Sequence, residues 1–170
     1  MNNAARILLS ISIAVVVGGC GDNSAQAPDT TTAESAAAPA PVPGYPDGLS
    51  RIVATDKLPT QVGTRVDAKL VSNGNAGYLL FGPYARLQAG TYNLLVKGDV
   101  ETLPEGGKVI VDVAAARGAK VLGRQDVTDI GALPSFDIEV PADTSDIEVR
   151  VRVPADAKVS VEAYQLVKKA

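Results

Sequence analysis

The stretch DIEVRVRV, residues 146–153, constrains this chain more than any other feature. Ile147, Val149, Val151 and Val153 alternate with Glu148, Arg150 and Arg152. Successive side chains on a strand point to opposite faces, so this spacing predicts one buried face and one wet, charged face. FDIEV (136–140) and KVSVEA (158–163) repeat the pattern. In TYNLLVKG (91–98), Tyr92, Leu94 and Val96 share one side, and Leu95 joins Asn93 and Lys97 on the other. KVIVDVAAA (108–116) reads as a more fully buried strand, and GYLLFGPY (77–84) as an apolar strand ended by Gly82-Pro83.

Turn signals separate these runs: SNGNAG, LQAGT, LPEGG, ARGAK, PADTSD and PADAK. Short strands spaced about 8–12 residues apart predict an all-β sandwich or barrel. No long segment of helical period interrupts them. VPAD occurs at 140–143 and again at 153–156, which is repeated turn chemistry rather than a solenoid.

The first 48 residues have a different character. Arg6 precedes ILLSISIAVVV (7–17), an apolar run too short for a bilayer span, which needs about 20 residues. Its length suits the h-region of a signal peptide, about 7–15 residues. Val17-Gly18-Gly19-Cys20 follows and resembles a bacterial lipobox; Cys20 is the one cysteine of the chain. The resemblance implies removal of residues 1–19, a diacylglyceryl group on the Cys20 sulfur and acylation of its amine. Two or more acyl chains make membrane attachment stable. Gly21, rather than an aspartate, directs the expectation toward the outer membrane of a bacterial cell envelope. Residues 20–48 then form a tether rich in Ala, Pro and Thr, too poor in large apolar groups to offset its ordering entropy. Its Ala-Pro alternation favours extended conformations. The predicted organisation is a signal peptide (1–19), the lipidated and disordered tether (20–48) and a β-sandwich domain (49–170).

GYLLFGPYARLQAGTYNLLVKGDVE (77–101) resembles galactose-binding-like jelly-roll domains, a carbohydrate-binding-module type of β-sandwich. The shared pattern is an apolar strand ending in Gly82-Pro83-Tyr84, a short link, then Leu87, Gly90, Tyr92 and an alternating strand. IEVRVRVPADAKVSVEAYQLVK (147–168) looks like the closing pair of strands in such folds. The resemblance implies a jelly-roll-like antiparallel sandwich. It implies a glycan as the class of ligand, bound through aromatic faces and hydrogen-bonding side chains, and in many such folds a structural calcium. Asp99, Glu101 and Glu105, or Asp143 and Asp146, are the acids close enough in sequence to be weighed for calcium. They read as solvated loop acids, so no metal and no cofactor is expected.

The residue inventory argues against catalysis. The chain has no histidine, and its single cysteine is committed to lipid. No Gly-x-Ser-x-Gly elbow is present. Of 19 acids, Asp22, Asp29, Glu34 and Asp47 precede Leu49, and of 16 bases Arg6 alone does, so the domain is near neutral. That balance gives no footprint for nucleic acid. With no tryptophan, the aromatic candidates are Tyr78, Phe81, Tyr84, Tyr92, Phe136 and Tyr164. Phe81 and Tyr92 read as core. Tyr84 has two open roles, an exposed ring for a ligand or a tyrosine closing the core edge through its hydroxyl. If the chain stays extended after Pro83, Tyr84 and Arg86 emerge on the same side, and they are the expected ligand-binding pair. Arg117, Arg124, Gln125 and Asp126 are placed on loops at one end of the sandwich, as ordinary surface polar groups. The expected function is non-catalytic binding, of glycan or alternatively of another envelope protein in a structural or assembly role.

Overall fold

The computed structural model describes residues 48–55, 57–142 and 144–170. The expected signal peptide, Cys20 and the tether as far as residue 47 lie outside the described residues, as does Asp143. Twelve strands follow in chain order: β1 (Gly48–Val53), β2 (Gly63–Val66), β3 (Lys69–Ser72), β4 (Gly77–Leu80), β5 (Pro83–Leu87) and β6 (Gly90–Thr102) come first. They are followed by β7 (Val109–Ala115), β8 (Lys120–Val127), β9 (Gly131–Ala132), β10 (Ser135–Val140), β11 (Thr144–Val153) and β12 (Lys158–Lys168). No helix occurs among the described residues.

The strands form two antiparallel sheets. The larger runs β10-β6-β12-β3-β2, with β1 also on β12 and β9 on β6. The smaller runs β4-β11-β7-β8, with β5 also on β11. Chain neighbours are mostly not sheet neighbours, as a jelly-roll-like sandwich requires. One apolar cluster fills the space between the sheets. Leu70, Tyr92, Leu94, Val161, Tyr164 and Leu166 enter it from the larger sheet, and Leu79, Leu80, Val111, Val113, Ile147 and Val149 from the smaller. Each such side chain contributes about 1.5–3 kcal/mol by leaving water. The all-β sandwich expected from the alternation is therefore the fold observed.

The structure corrects several particulars. Strands β11 and β12 are consecutive, yet they belong to different sheets. The PADAK turn crosses the sandwich instead of closing a hairpin, because both strands carry one apolar face that must meet the other across the core. Strict alternation also fails within β12. Val159 and Val161 point inward, then the register against β6 shifts between Val161 and Ala163, and Tyr164 and Leu166 take over the core face. Glu162 is the extra residue of this bulge. Opposite it, Gly98 leaves no room for a side chain: a Cβ there would lie 2.2 Å from the Ser160 carbonyl oxygen.

Phe81 is not a core residue. It is half-buried in the link between β4 and β5, tilted at 59° against Tyr78 with ring centroids 6.0 Å apart. Arg124, Gln125 and Asp126 lie within β8 rather than on loops. The charged face of β11 is not uniformly wet either. Glu148 is 5 % exposed and Arg150 is largely covered, whereas Arg152 is open.

Candidate functional site

Strands β4 and β5 run one after the other along the same neighbour, β11, and the Phe81-Gly82 link joins them. Pro83 lacks an N–H, so a position on this margin of the sheet costs it nothing. The Gly82 carbonyl accepts from the Val149 N–H at 2.8 Å and from the buried Tyr164 hydroxyl at 3.2 Å. The link is thereby stitched to a strand of each sheet. Tyr84 follows, 41 % exposed, with φ at 65°. Two other tyrosines, Tyr92 and Tyr164, tie the core edge through their hydroxyls, donating to the Gln88 and Gly82 carbonyls.

Tyr84 borders two hollows. One, of about 440 Å³, is lined by Tyr84, Arg117 and Asp146. All three residues have left-handed backbones, with φ of 65°, 56° and 52°. Ala116, beside Arg117, also has a φ of 52°, and its N–H donates to the Ser145 carbonyl at 3.2 Å. The turn after β7 is thus pinned to the start of β11. Non-glycine residues in this conformation cost free energy, and they persist where the surroundings impose them, as at ligand-binding sites. A second hollow that Tyr84 also lines, of about 500 Å³, is lined besides by Pro83, Leu58, Pro59 and Ile52 with Arg51 and Lys57.

A covered charge network supports the ring. Arg150 makes a two-pronged bond to Asp112, Nε to Oδ1 at 2.6 Å and Nη2 to Oδ2 at 2.9 Å. Its Nη1 lies 3.6 Å from Glu148 Oε1, and its guanidinium lies 5.7 Å from the Tyr78 ring centroid. The Tyr84 phenol and the Glu148 carboxyl lie near enough for each to influence the other's ionisation. Burial pushes the Glu148 carboxyl above its ordinary range, opposed by Arg150, reinforced by Asp112 and relieved slightly by Tyr84. Burial, then the Glu148 charge, raises the Tyr84 phenol in turn. Gly118 lets the turn after β7 close over these groups, since a Cβ there would lie 2.7 Å from Arg150 Nη1.

Of the expected pair, Tyr84 borders both hollows. Arg86 is exposed on β5 and lines neither. The left-handed backbone at Tyr84 breaks the extended geometry on which their common side depended. Arg117 and Asp146 take the places beside the ring. Arg117 comes from the turn after β7 and Asp146 from the start of β11, 29 residues on, and the one local hint was that each stands in a turn signal of the sequence.

Other polar surfaces are occupied by their own side chains. On the larger sheet Thr91 bonds Glu139 at 2.6 Å, Asn93 bonds Asp137 at 2.9 Å and Lys97 bonds Glu162 at 2.7 Å. On β8, Arg124 and then Lys108 hold Asp126 and pull its carboxyl down to about 2. Exposed large apolar side chains, Val66, Leu95, Val121, Ile130 and Val167, are spread over both sheets and a loop. Among the described residues no three Asp, Glu, His or Cys side chains converge as a cation site. Asp99 and Glu101 lie exposed on β6, and Glu105 lies in the turn after it.

No family model matches the sequence, and no curated protein does. Solved structures of similar fold include the C-terminal CBM6 of LamC, a marine laminarinase from Zobellia galactanivorans. It is 14 % identical with a TM-score of 0.47, covering 69 % of this chain and 98 % of that one. Another is the carbohydrate-binding module CBM6cm-2 from Cellvibrio mixtus lichenase 5A, in complex with cellotriose. It is 11 % identical with a TM-score of 0.44, covering 72 % of this chain and 99 % of that one. Both likenesses are of fold, which the sheet topology above already establishes.

Proposed function

We propose that this chain is a lipid-anchored protein of a bacterial cell envelope that displays a non-catalytic β-sandwich for binding glycan. One observation carries the binding role: an exposed tyrosine ring borders a hollow whose three lining residues all have left-handed backbones. A ring face stacks on the apolar face of a sugar, while Arg117 donates and Asp146 accepts hydrogen bonds from hydroxyl groups. The missing histidine and the absence of a serine-nucleophile elbow support a role without catalysis. The anchor rests on Val17-Gly18-Gly19-Cys20, and outer-membrane placement on Gly21.

Two measurements test this reading. On a glycan array followed by calorimetry, Tyr84→Ala is expected to lower affinity at least about tenfold, the scale of one lost stacking contact with its hydrogen bonds. The same variant is expected to change stability by less than about 1 kcal/mol, as for other exposed positions. An unchanged affinity, or a stability loss of core size, sinks the site. Separately, Cys20→Ser is expected to abolish incorporation of labelled palmitate; equal labelling of the variant refutes the anchor.

A further inference from the structure

We infer that the glycan is an acidic one, a polymer bearing uronic acids, and that its carboxylate is read by Arg51 and Lys57. The inference rests on the glycan-binding reading and narrows it. The hollow of about 500 Å³ on the β1 side of Tyr84 falls within the ~300–1,000 Å³ range of small-molecule sites. Its floor is apolar, built from Ile52, Leu58, Pro59 and Pro83. That floor is held in place: the Leu58 carbonyl accepts from Arg65, and the Pro59 carbonyl accepts from the Phe81 N–H at 3.3 Å. A pyranose ring can lie against such a surface.

Among the described residues the charged groups of this hollow have one sign: Arg51 and Lys57 line it, and no described carboxylate does. Of the acids near Tyr84, Asp146 lines the other hollow together with Arg117, and Glu148 lies against Arg150. Arg51 is loosely engaged at home. It stands 3.8 Å from Glu162, with its side chain 60 % exposed, while Lys97 holds the same carboxylate oxygen at 2.7 Å. Arg51 can therefore turn to a ligand without stranding Glu162. An apolar floor beside two cations suits a ring that carries a carboxylate. A neutral sugar offers both cations hydroxyl acceptors but no charge to balance them.

The test compares trimers of galacturonate, glucuronate, mannuronate and guluronate with their neutral counterparts, by calorimetry on the full chain at low and high salt. At least one uronate trimer is expected to bind about tenfold or more tightly than its neutral counterpart, as one charge-assisted hydrogen bond supplies. The preference is expected to shrink at high salt. The double variant Arg51→Gln, Lys57→Gln is expected to bring the two sugars within about twofold of each other, with an unchanged melting temperature. A preference that survives the double variant overturns the inference. So does binding of neutral trimers alone through Tyr84, although the glycan reading then stands. Binding of anionic lipid vesicles through Arg51 and Lys57, with no response to any uronate, also overturns it. If no glycan binds at all, both readings fall together.

Discussion

Replacing Arg150 with methionine is expected to cost about 3 kcal/mol of folding stability at pH 7 and distinctly less near pH 4. Among the described residues the guanidinium is the one cation paired with Asp112 and with Glu148, and all three side chains are largely covered. Removing it strands two carboxylates of which neither is well hydrated, and stranded buried charge accounts for the largest losses at such pairs. The pH dependence follows from Glu148. Burial already raises its folded pKa, with Arg150 as the main opposing influence. A carboxyl whose folded pKa exceeds its unfolded one contributes stability below the unfolded pKa, and that contribution is lost as pH rises through the folded value. Methionine removes the opposing charge and raises Glu148 further. The variant can then protonate Glu148 in acid and recover part of the loss. Urea unfolding across this pH range checks the prediction. A variant within about 1 kcal/mol of the parent at pH 7, with no pH trend, would show that the network is solvated in solution.

Tyr164→Ala is expected to cost about 4 kcal/mol, as for other large buried aromatics, whereas Tyr164→Phe is expected to cost about 1 kcal/mol. The side chain is 1 % exposed in the core between the sheets. Its ring supplies packing, and its hydroxyl ties β12 to the Gly82 carbonyl in the link that presents Tyr84. The phenylalanine variant therefore has a second readout. It is expected to weaken ligand binding modestly at Tyr84 while keeping most of its stability, because the Gly82 carbonyl is then held by the Val149 N–H without the bond from β12. Equal losses for alanine and phenylalanine would mean that the hydrogen bond, not the ring, carries the effect.

The strands were legible because one physical signal specifies them. Alternation along β6 and β11 put Tyr92, Leu94, Val96, Ile147, Val149 and Val151 on the core side, and each is buried there. The turns between strands were legible for a similar reason, since glycine, proline, asparagine and aspartate relieve local backbone constraints. Pairing was not legible. Which strand lies beside β11 depends on how two apolar faces meet across the core, and no local window contains that information.

The site divides the same way. Tyr84 was picked out by Pro83 before it, a local restriction on the chain. Its partners Arg117 and Asp146 reach it from the turn after β7 and the start of β11, and Arg51 and Lys57 line the other hollow that Tyr84 borders. The sequence by itself determined the all-β character, the turn positions, the inward residues of the regular strands and the candidate tyrosine, since each follows from residues within a few positions of one another. Tertiary structure alone decided the rest. The bulge at Glu162 reverses the inward side of β12 because β12 must follow β6 across the close approach at Gly98. Glu148 and Arg150 of β11 became a covered network because the turn at Gly118 closes over them and Asp112 of β7 bonds Arg150. Contacts between residues far apart in the chain make those choices, and a charge reads as wet in sequence until the fold places something above it.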